Sequence, residues 1–340
     1  MNKKKKKISV IGCGGWGTAL SMLLCEAGHT VSLWGVDAEY MDSMGRSREN
    51  TVFLPDIEIP RELTLSGDLH ECLENSGVVV AATPTVYMRE VCERFADSLR
   101  QDHLIINVAK GIEEETLLTG TGIIRDVCGE DINNIAGLYG PSHAEEVARG
   151  MPTTVVAASP DEAAARRVQD IFMTPAFRVY TNTDLIGAEI GAALKNVIAV
   201  AAGVCDGLDF GDNAKSALLT RGLAETRRLG MALGARGATF AGLTGLGDLI
   251  TTCVSPHGRN RKVGFRLGRG EKLDDILSDM NQVAEGVRTT RSAYQLARKQ
   301  GVDMPITGEV YALLFEGKDP LQSGYDLMRR RPRPELDADS

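Results

Sequence analysis

The chain has 340 residues, 43% of them hydrophobic, which is enough apolar material for real cores and enough length that two domains are the default expectation. Its 38 lysines and arginines against 46 aspartates and glutamates leave a net charge of -8. That balance repels a nucleic-acid backbone and excludes nucleic acid as a partner, while leaving room for a local basic pocket that takes a small phosphate.

The seven cysteines are odd in number and scattered, with no C-x-x-C pair and no histidine at metal-ligand spacing. They read as reduced thiols of a cytoplasmic protein, and no metal is expected. At the start, Lys3 to Lys7 followed by Val10-Ile11-Gly12-Cys13 imitates a lipoprotein signal. Only Ile8 to Gly12 separate the lysines from Cys13, short of the roughly 7–15 residues of an apolar signal core. No run of about 18 uncharged apolar residues follows elsewhere, so stable membrane insertion is not expected.

From Ile8 to about Tyr180, short β-branched runs alternate with amphipathic stretches, the pattern of a parallel sheet with crossover helices. The predicted strands are Ile8 to Ile11, Val31 to Trp34, Val78 to Ala82, Leu104 to Val108, Ile135 to Tyr139, Thr153 to Ala157 and Arg178 to Tyr180. After Thr181, alanine, leucine and glycine at helical spacing take over. The boundary is expected near residues 181–187, with an α/β domain over 1–182 and an all-α domain over 183–340. The tail after Arg329 reads as frayed.

Directly after the first strand, Gly12-Cys13-Gly14-Gly15-Trp16-Gly17 matches G-x-G-x-x-G. Ala19, Leu20, Leu23, Leu24 and Ala27 then follow on one helical face before Gly28 ends the helix. Gly12 permits the tight turn, Gly14 lets backbone approach a pyrophosphate, and Gly17 lets helix and strand pack closely. The free N–H groups of the helix start, with their partial positive charge, suit a diphosphate, so residues 1–182 read as a dinucleotide-binding domain of Rossmann type. The ribose-binding acid that should close the second strand is displaced: Trp34 runs into Gly35-Val36, and Asp37 comes one step late. Asp37 can accept ribose hydroxyls or cap the following helix.

Lys110, in Asn107-Val108-Ala109-Lys110-Gly111, ends the fourth predicted strand at the carboxyl edge where ligands of open α/β sheets bind. Gly140-Pro141-Ser142 ends the fifth on the same edge. Lys195 is the most informative residue. From Ala188 to Val204 its helix is apolar nearly all round, and its charges, Glu189 and Lys195, stand six residues apart and do not face each other. Such a helix is buried, so Lys195 must reach a cleft, pair with a carboxylate or lose its proton, the last being what proton transfer near neutral pH requires. Snorkelling at a helix edge is the bland alternative. Gly245-Leu246-Gly247-Asp248 offers a carboxylate as partner or as helix cap. Gly258-Arg259-Asn260-Arg261-Lys262 gathers three cations beside an amide, suited to a terminal phosphate or simply to solvent.

Together these segments, with Leu194-Lys195-Asn196-Val197-Ile198-Ala199 and Thr220-Arg221-Gly222-Leu223-Ala224-Glu225, resemble the bacterial-type glycerol-3-phosphate dehydrogenase family over nearly the whole chain. The resemblance implies NAD- or NADP-dependent, reversible reduction of dihydroxyacetone phosphate to sn-glycerol 3-phosphate for glycerophospholipid synthesis, in a cytoplasmic homodimer. It implies that Lys195 is the acid/base. Lys110, Gly140, Ser142, Asp248, Gly258, Arg259 and Asn260 would surround the three-carbon phosphate. Gly12, Gly14, Gly15, Trp16, Gly17, Lys110, Ala144, Arg259, Val283 and Glu285 would meet the cofactor.

The chain departs from the family at three of these places. Gly15 stands where serine is usual, which removes a hydroxyl from the cofactor phosphate. Val36 replaces a frequent arginine or histidine suited to a 2′-phosphate, which tilts the expectation toward NAD. Gly258 replaces a frequent serine. The nearest rivals are a 3-hydroxyacid dehydrogenase similar to 3-hydroxyisobutyrate and 6-phosphogluconate enzymes, which would lack the combined Gly245-to-Asp248 and Arg259-Asn260 site, and a dinucleotide sensor without turnover, which would have no use for Lys195.

Overall fold

The computed structural model describes residues 5–129, 132, 134–256, 258–280, 283–332, 334 and 335. Two compact units divide the chain: one runs to Lys110 and resumes over Leu118–Leu185, and the other takes Gly111–Leu117 and the chain from Ile186 onward.

Along the first unit come β1 (Lys7–Ile11), α1 (Gly15–Glu26), β2 (Thr30–Trp34), α2 (Ala38–Ser47), β3 (Glu49–Asn50), β4 (Leu54–Glu58), β5 (Thr64–Ser66), α3 (Leu69–Leu73), β6 (Val78–Ala81), α4 (Thr85–Phe95), β7 (Leu104–Asn107), α5 (Gly120–Cys128), β8 (Ile135–Tyr139), α6 (Ala144–Ala148), β9 (Thr153–Ala158), α7 (Glu162–Phe172) and β10 (Phe177–Asn182). An eight-stranded sheet has the order β10-β9-β8-β7-β6-β1-β2-β5. Its central strands are apolar without alternation because both faces are covered. Val78 and Val80 enter one core while Val79 and Ala81 enter the opposite one, as do Leu104 and Ile106 against Ile105. Each such valine, leucine or isoleucine, taken fully out of water, contributes roughly 1.5–3 kcal/mol.

The expected all-parallel sheet needs correction at β8 and β9, which pair antiparallel, Leu138 opposite Ala157. The connection between them carries only the five-residue helix α6, and the chain re-enters the sheet from the edge it left. Two further features went unread in the sequence: the edge strand β5, and the β3–β4 hairpin between α2 and β5.

The second unit is helical: α8 (Leu185–Gly207), α9 (Gly211–Ala232), a 3-10 turn (Gly237–Ala241), a π turn (Leu243–Gly247), α10 (Asp248–Val254), α11 (Arg259–Gly268), α12 (Leu273–Ser278), α13 (Glu285–Gln300), α14 (Pro305–Phe315) and α15 (Pro320–Met328). Helix α8 is long and apolar enough to cross a membrane, yet every residue from Gly187 to Val200 is buried within the protein, which makes it the core helix of its unit. Gly203 and Gly264 let α8 and α11 touch backbone to backbone: a Cβ on Gly264 would come 1.9 Å from the Val200 carbonyl oxygen. That contact sets the start of α11 beside the middle of α8.

The excursion Gly111–Leu117 departs from the single expected cut. Ile112 is buried in the helical core, Ser292 Oγ donates to its carbonyl at 2.9 Å, and Arg291 meets Glu114 at 3.2 Å. Seven residues are too few to show a period, so the sequence gives no sign of it.

Candidate functional site

In the first unit the glycine turn is held by close backbone contacts. Gly12 has φ +122°, and a Cβ there would lie 2.8 Å from the Ala82 carbonyl. A Cβ on Gly17 would lie 1.9 Å from the Gly12 carbonyl oxygen. Gly14, by contrast, faces open space. The first turn of α1 carries no acidic residue and no side-chain cap, so its N–H groups and the positive end of the helix dipole are left for an anion. These features fit a dinucleotide diphosphate. The Cys13 thiol between the glycines is pushed up to about 11 by burial, which keeps it neutral beside that position.

Asn50 holds this turn, and sequence reasoning missed it. Fully buried, its Nδ2 donates to the Cys13 carbonyl at 2.8 Å and to Thr18 Oγ1 at 2.7 Å, while its Oδ1 accepts from Tyr40 Oη at 2.7 Å and the Phe53 N–H at 3.0 Å. Asparagine in a sequence usually signals only a turn, so nothing in its sequence setting separates it from others. The hairpin it anchors also explains Gly15: a Cβ there would lie 2.5 Å from the Phe53 carbonyl oxygen. Trp16 is half-buried against the first core, and its Nε1 has no protein partner among the described residues. Ala144 opens α6 beside Gly15. Asp37 takes the capping role: its Oδ1 accepts from the Tyr40 N–H at 3.0 Å, and Val36 is 67% exposed.

At the ends of β7 and β8, Lys110, Gly140 and Ser142 come together. Lys110 Nζ donates to the Gly140 carbonyl at 2.9 Å and to Ser142 Oγ at 3.3 Å, and Ser142 Oγ donates to the same carbonyl at 2.9 Å. Asn107 shapes the loop that carries the lysine, its Oδ1 accepting from the Ala109 N–H at 3.0 Å and its Nδ2 donating to Tyr139 Oη at 2.7 Å.

In the second unit, Lys195 of α8 forms an ion pair with Asp248, the first residue of α10, their side chains 8% and 1% exposed. Of the three outcomes open to a lysine in an apolar helix, pairing with a carboxylate is the one observed. The π turn brings the carboxylate into place: Thr244 within it lies against Gly191 of α8, and the Asp248 carbonyl accepts from Thr252 Oγ1 at 2.7 Å. One residue on from the lysine, Asn196 Oδ1 accepts from Asn260 Nδ2 at 2.9 Å, and Asn260 Oδ1 accepts from the Gly286 N–H at 3.0 Å. Asn260 is thus oriented from both ends of its amide. Arg259 Nη1 donates to the Val283 carbonyl at 3.2 Å, which gathers Arg259, Val283 and, at the start of α13, Glu285.

The three-cation reading of residues 258–262 needs correction. Arg261 turns onto Asp206 at 2.6 Å, and Asp206 also takes Lys215 at 2.9 Å, so Arg261 braces α11 against α8 and α9. Gly258 stands where a Cβ would be 2.9 Å from the Thr252 carbonyl oxygen. Away from this cluster, buried Glu225 accepts from the Ile306 N–H at 2.7 Å and the Thr307 N–H at 3.2 Å at the start of α14. Burial raises its carboxyl to about 7 despite those bonds.

Two family models match: the NAD-dependent glycerol-3-phosphate dehydrogenase N-terminus over residues 7–165 and the C-terminus of the same family over 184–324. The glycerol-3-phosphate dehydrogenase [NAD(P)+] of Chlorobium limicola is 48% identical over 330 residues, 97% of this chain and 99% of that protein. The enzyme of the same name from Geobacillus kaustophilus is 50% identical over 333 residues, 98% and 97% of the two chains. Among solved structures, the glycerol-3-phosphate dehydrogenase of Coxiella burnetii superposes with a TM-score of 0.91 at 34% identity, covering 96% of this chain and 99% of its own.

Proposed function

The chain belongs to the NAD-dependent glycerol-3-phosphate dehydrogenase family, and on that premise we propose that it reversibly reduces dihydroxyacetone phosphate to sn-glycerol 3-phosphate with NAD(P)H. The observation that carries the reading is the buried Lys195–Asp248 pair set one residue from the Asn196–Asn260–Gly286 chain. A charged pair sequestered in an apolar helix core is costly to keep for stability alone, and an ammonium so held is placed to move a proton.

When bound, the nicotinamide cofactor supplies or takes the hydride. The backbone of Gly12, Gly14, Gly15 and Gly17 and the first N–H groups of α1 would hold its diphosphate, with Trp16, Lys110 and Ala144 beside that turn in the same unit; Arg259, Val283 and Glu285 are further contacts that the family resemblance implies. Lys195 gives a proton from Nζ to the ketone oxygen and takes it back in the reverse direction, while Asp248 orients the ammonium and stabilises its charge. Arg259 and Asn260, with the main chain at Gly258, grip the substrate phosphate, so that binding energy from a non-reacting group positions the reacting carbon; Lys110, Gly140 and Ser142 are further substrate contacts that the family resemblance implies. The fixed amide of Asn260 presents its second N–H in one direction only. A homodimeric assembly, a cytoplasmic location and supply of glycerophospholipid synthesis belong to the same reading and rest on the family resemblance.

The test is to mix protein, NADH or NADPH and dihydroxyacetone phosphate and follow nicotinamide absorbance. Loss of absorbance dependent on dihydroxyacetone phosphate is expected. Oxidation of 3-hydroxyacids instead would favour the rival dehydrogenase, and cofactor binding without turnover would favour the sensor.

A further inference from the structure

None of the seven cysteines takes a direct part in the function proposed above, and five of them are plain desolvated thiols. Burial pushes Cys13 and Cys25 up to about 11, Cys72 and Cys253 up to about 12, and Cys205 upward as well. Cys92 and Cys128 differ, because their thiols hydrogen-bond each other between α4 and α5 on one face of the sheet. The same two helices are tied nearby by Arg89 and Asp126 at 2.6 Å. Cys92 is completely buried, whereas Cys128 is half-buried at the last position of α5, where Gly129 at φ +111° ends the helix. The hydrogen bond from Cys92 holds Cys128 below the usual thiol range, and the same contact together with burial holds Cys92 above it. Of the two thiols, Cys128 is the one that solvent reaches.

We propose that Cys92 and Cys128 form a reversible oxidation site, in which Cys128 meets a hydroperoxide and Cys92 is the resolving thiol. In the first step the Cys128 sulfur attacks one peroxide oxygen and the O–O bond breaks. The departing hydroxide takes up the thiol proton to leave as water, so that sulfur is oxidised to sulfenic acid and the peroxide is reduced. In the second, the Cys92 sulfur attacks the Cys128 sulfur, the S–S bond forms, the S–O bond breaks, and the hydroxyl leaves with the Cys92 proton as a second water. Two thiols and one hydrogen peroxide thus give one disulfide and two waters. Sulfurs already in hydrogen-bonding contact have little distance to close to a bond of about 2.05 Å, and the helix-end position of Cys128 lets its backbone follow. The consequence is protection: the resolving thiol stops oxidation short of the irreversible sulfinic and sulfonic acids.

Native protein treated with hydrogen peroxide, blocked with an alkylating agent and mapped without reduction should yield a linked peptide pair joining Cys92 to Cys128, two hydrogens lighter than its parts and separated by dithiothreitol. Cys92→Ser should leave Cys128 as a sulfenic acid that reacts with dimedone, with untreated dehydrogenase activity serving as the check on folding. Should that variant fail to fold, the map of the unaltered protein decides by itself. The proposal is overturned if Cys92 and Cys128 both stay alkylatable while another cysteine oxidises first, or if Cys128 passes to the sulfinic acid with Cys92 intact.

Discussion

The glycine turn of the first unit and the lysine cluster of the second are built by opposite means. Around Gly12–Gly17 the structure depends on side chains that are missing, because the Ala82 and Phe53 carbonyls and the turn's own Gly12 carbonyl fill the space where Cβ atoms would stand. Around Lys195 it depends on side chains that are present, polar or charged, and buried, each satisfied by a partner. The lesson is about tolerance: the turn should be intolerant of added atoms, and the cluster intolerant of removed ones. A backbone contact cannot yield, whereas a buried charge stripped of its partner keeps its full desolvation penalty.

The strongest test on the turn side is Gly17→Ala. One methyl group 1.9 Å from a backbone oxygen must displace β1 or α1. We expect a loss above the ~3 kcal/mol that overpacking usually costs, read as a fallen thermal midpoint with no saturable NADH binding. A well-folded variant that binds NADH normally would erase the contrast between the regions.

On the cluster side, Asp248→Asn keeps size and removes charge, leaving the Lys195 ammonium buried beside an amide. Breaking such a pair costs ~3–5 kcal/mol, which denaturant unfolding should show together with loss of turnover. Unchanged stability would mean that the carboxylate is not what balances the lysine.

Glu225 sharpens the comparison, since it is a buried acid satisfied by backbone N–H groups instead of a cation. Its folded-state carboxyl lies at about 7 against 4.5 unperturbed, so folding favours the protonated form. The stability it contributes is fully present below pH 4.5 and is lost as pH rises through about 7. A shift of that size is worth ~3 kcal/mol. Comparing urea midpoints of the parent and Glu225→Gln across that range should show the parent losing stability relative to the variant as pH rises. Parallel curves would contradict the assignment.

Legibility in the sequence follows the same division. The central strands could be read because full burial on both faces writes unbroken apolar runs such as Val78 to Ala81. Lys195 stood out because a charge in an apolar helix has few physical explanations, and Gly12, Gly14 and Gly17 because their spacing carries a mechanism. What escaped has no local signature. The reversal between β8 and β9 is a matter of which strand edge the chain returns to, the Gly111–Leu117 excursion is shorter than any period, and Asn50 is distinguished only by what surrounds it in space. Asp37 was legible as two alternatives, and the Tyr40 N–H it accepts shows the capping role. Arg261 was misread because a basic run does not reveal which cation finds a carboxylate such as Asp206.

The central claim is that the Lys195 amine moves the proton while cofactor is held elsewhere. Lys195→Ala should bind NADH with nearly the parent's affinity in a fluorescence titration, yet show no measurable reduction of dihydroxyacetone phosphate. A variant that turns over at close to the parent rate would contradict the account.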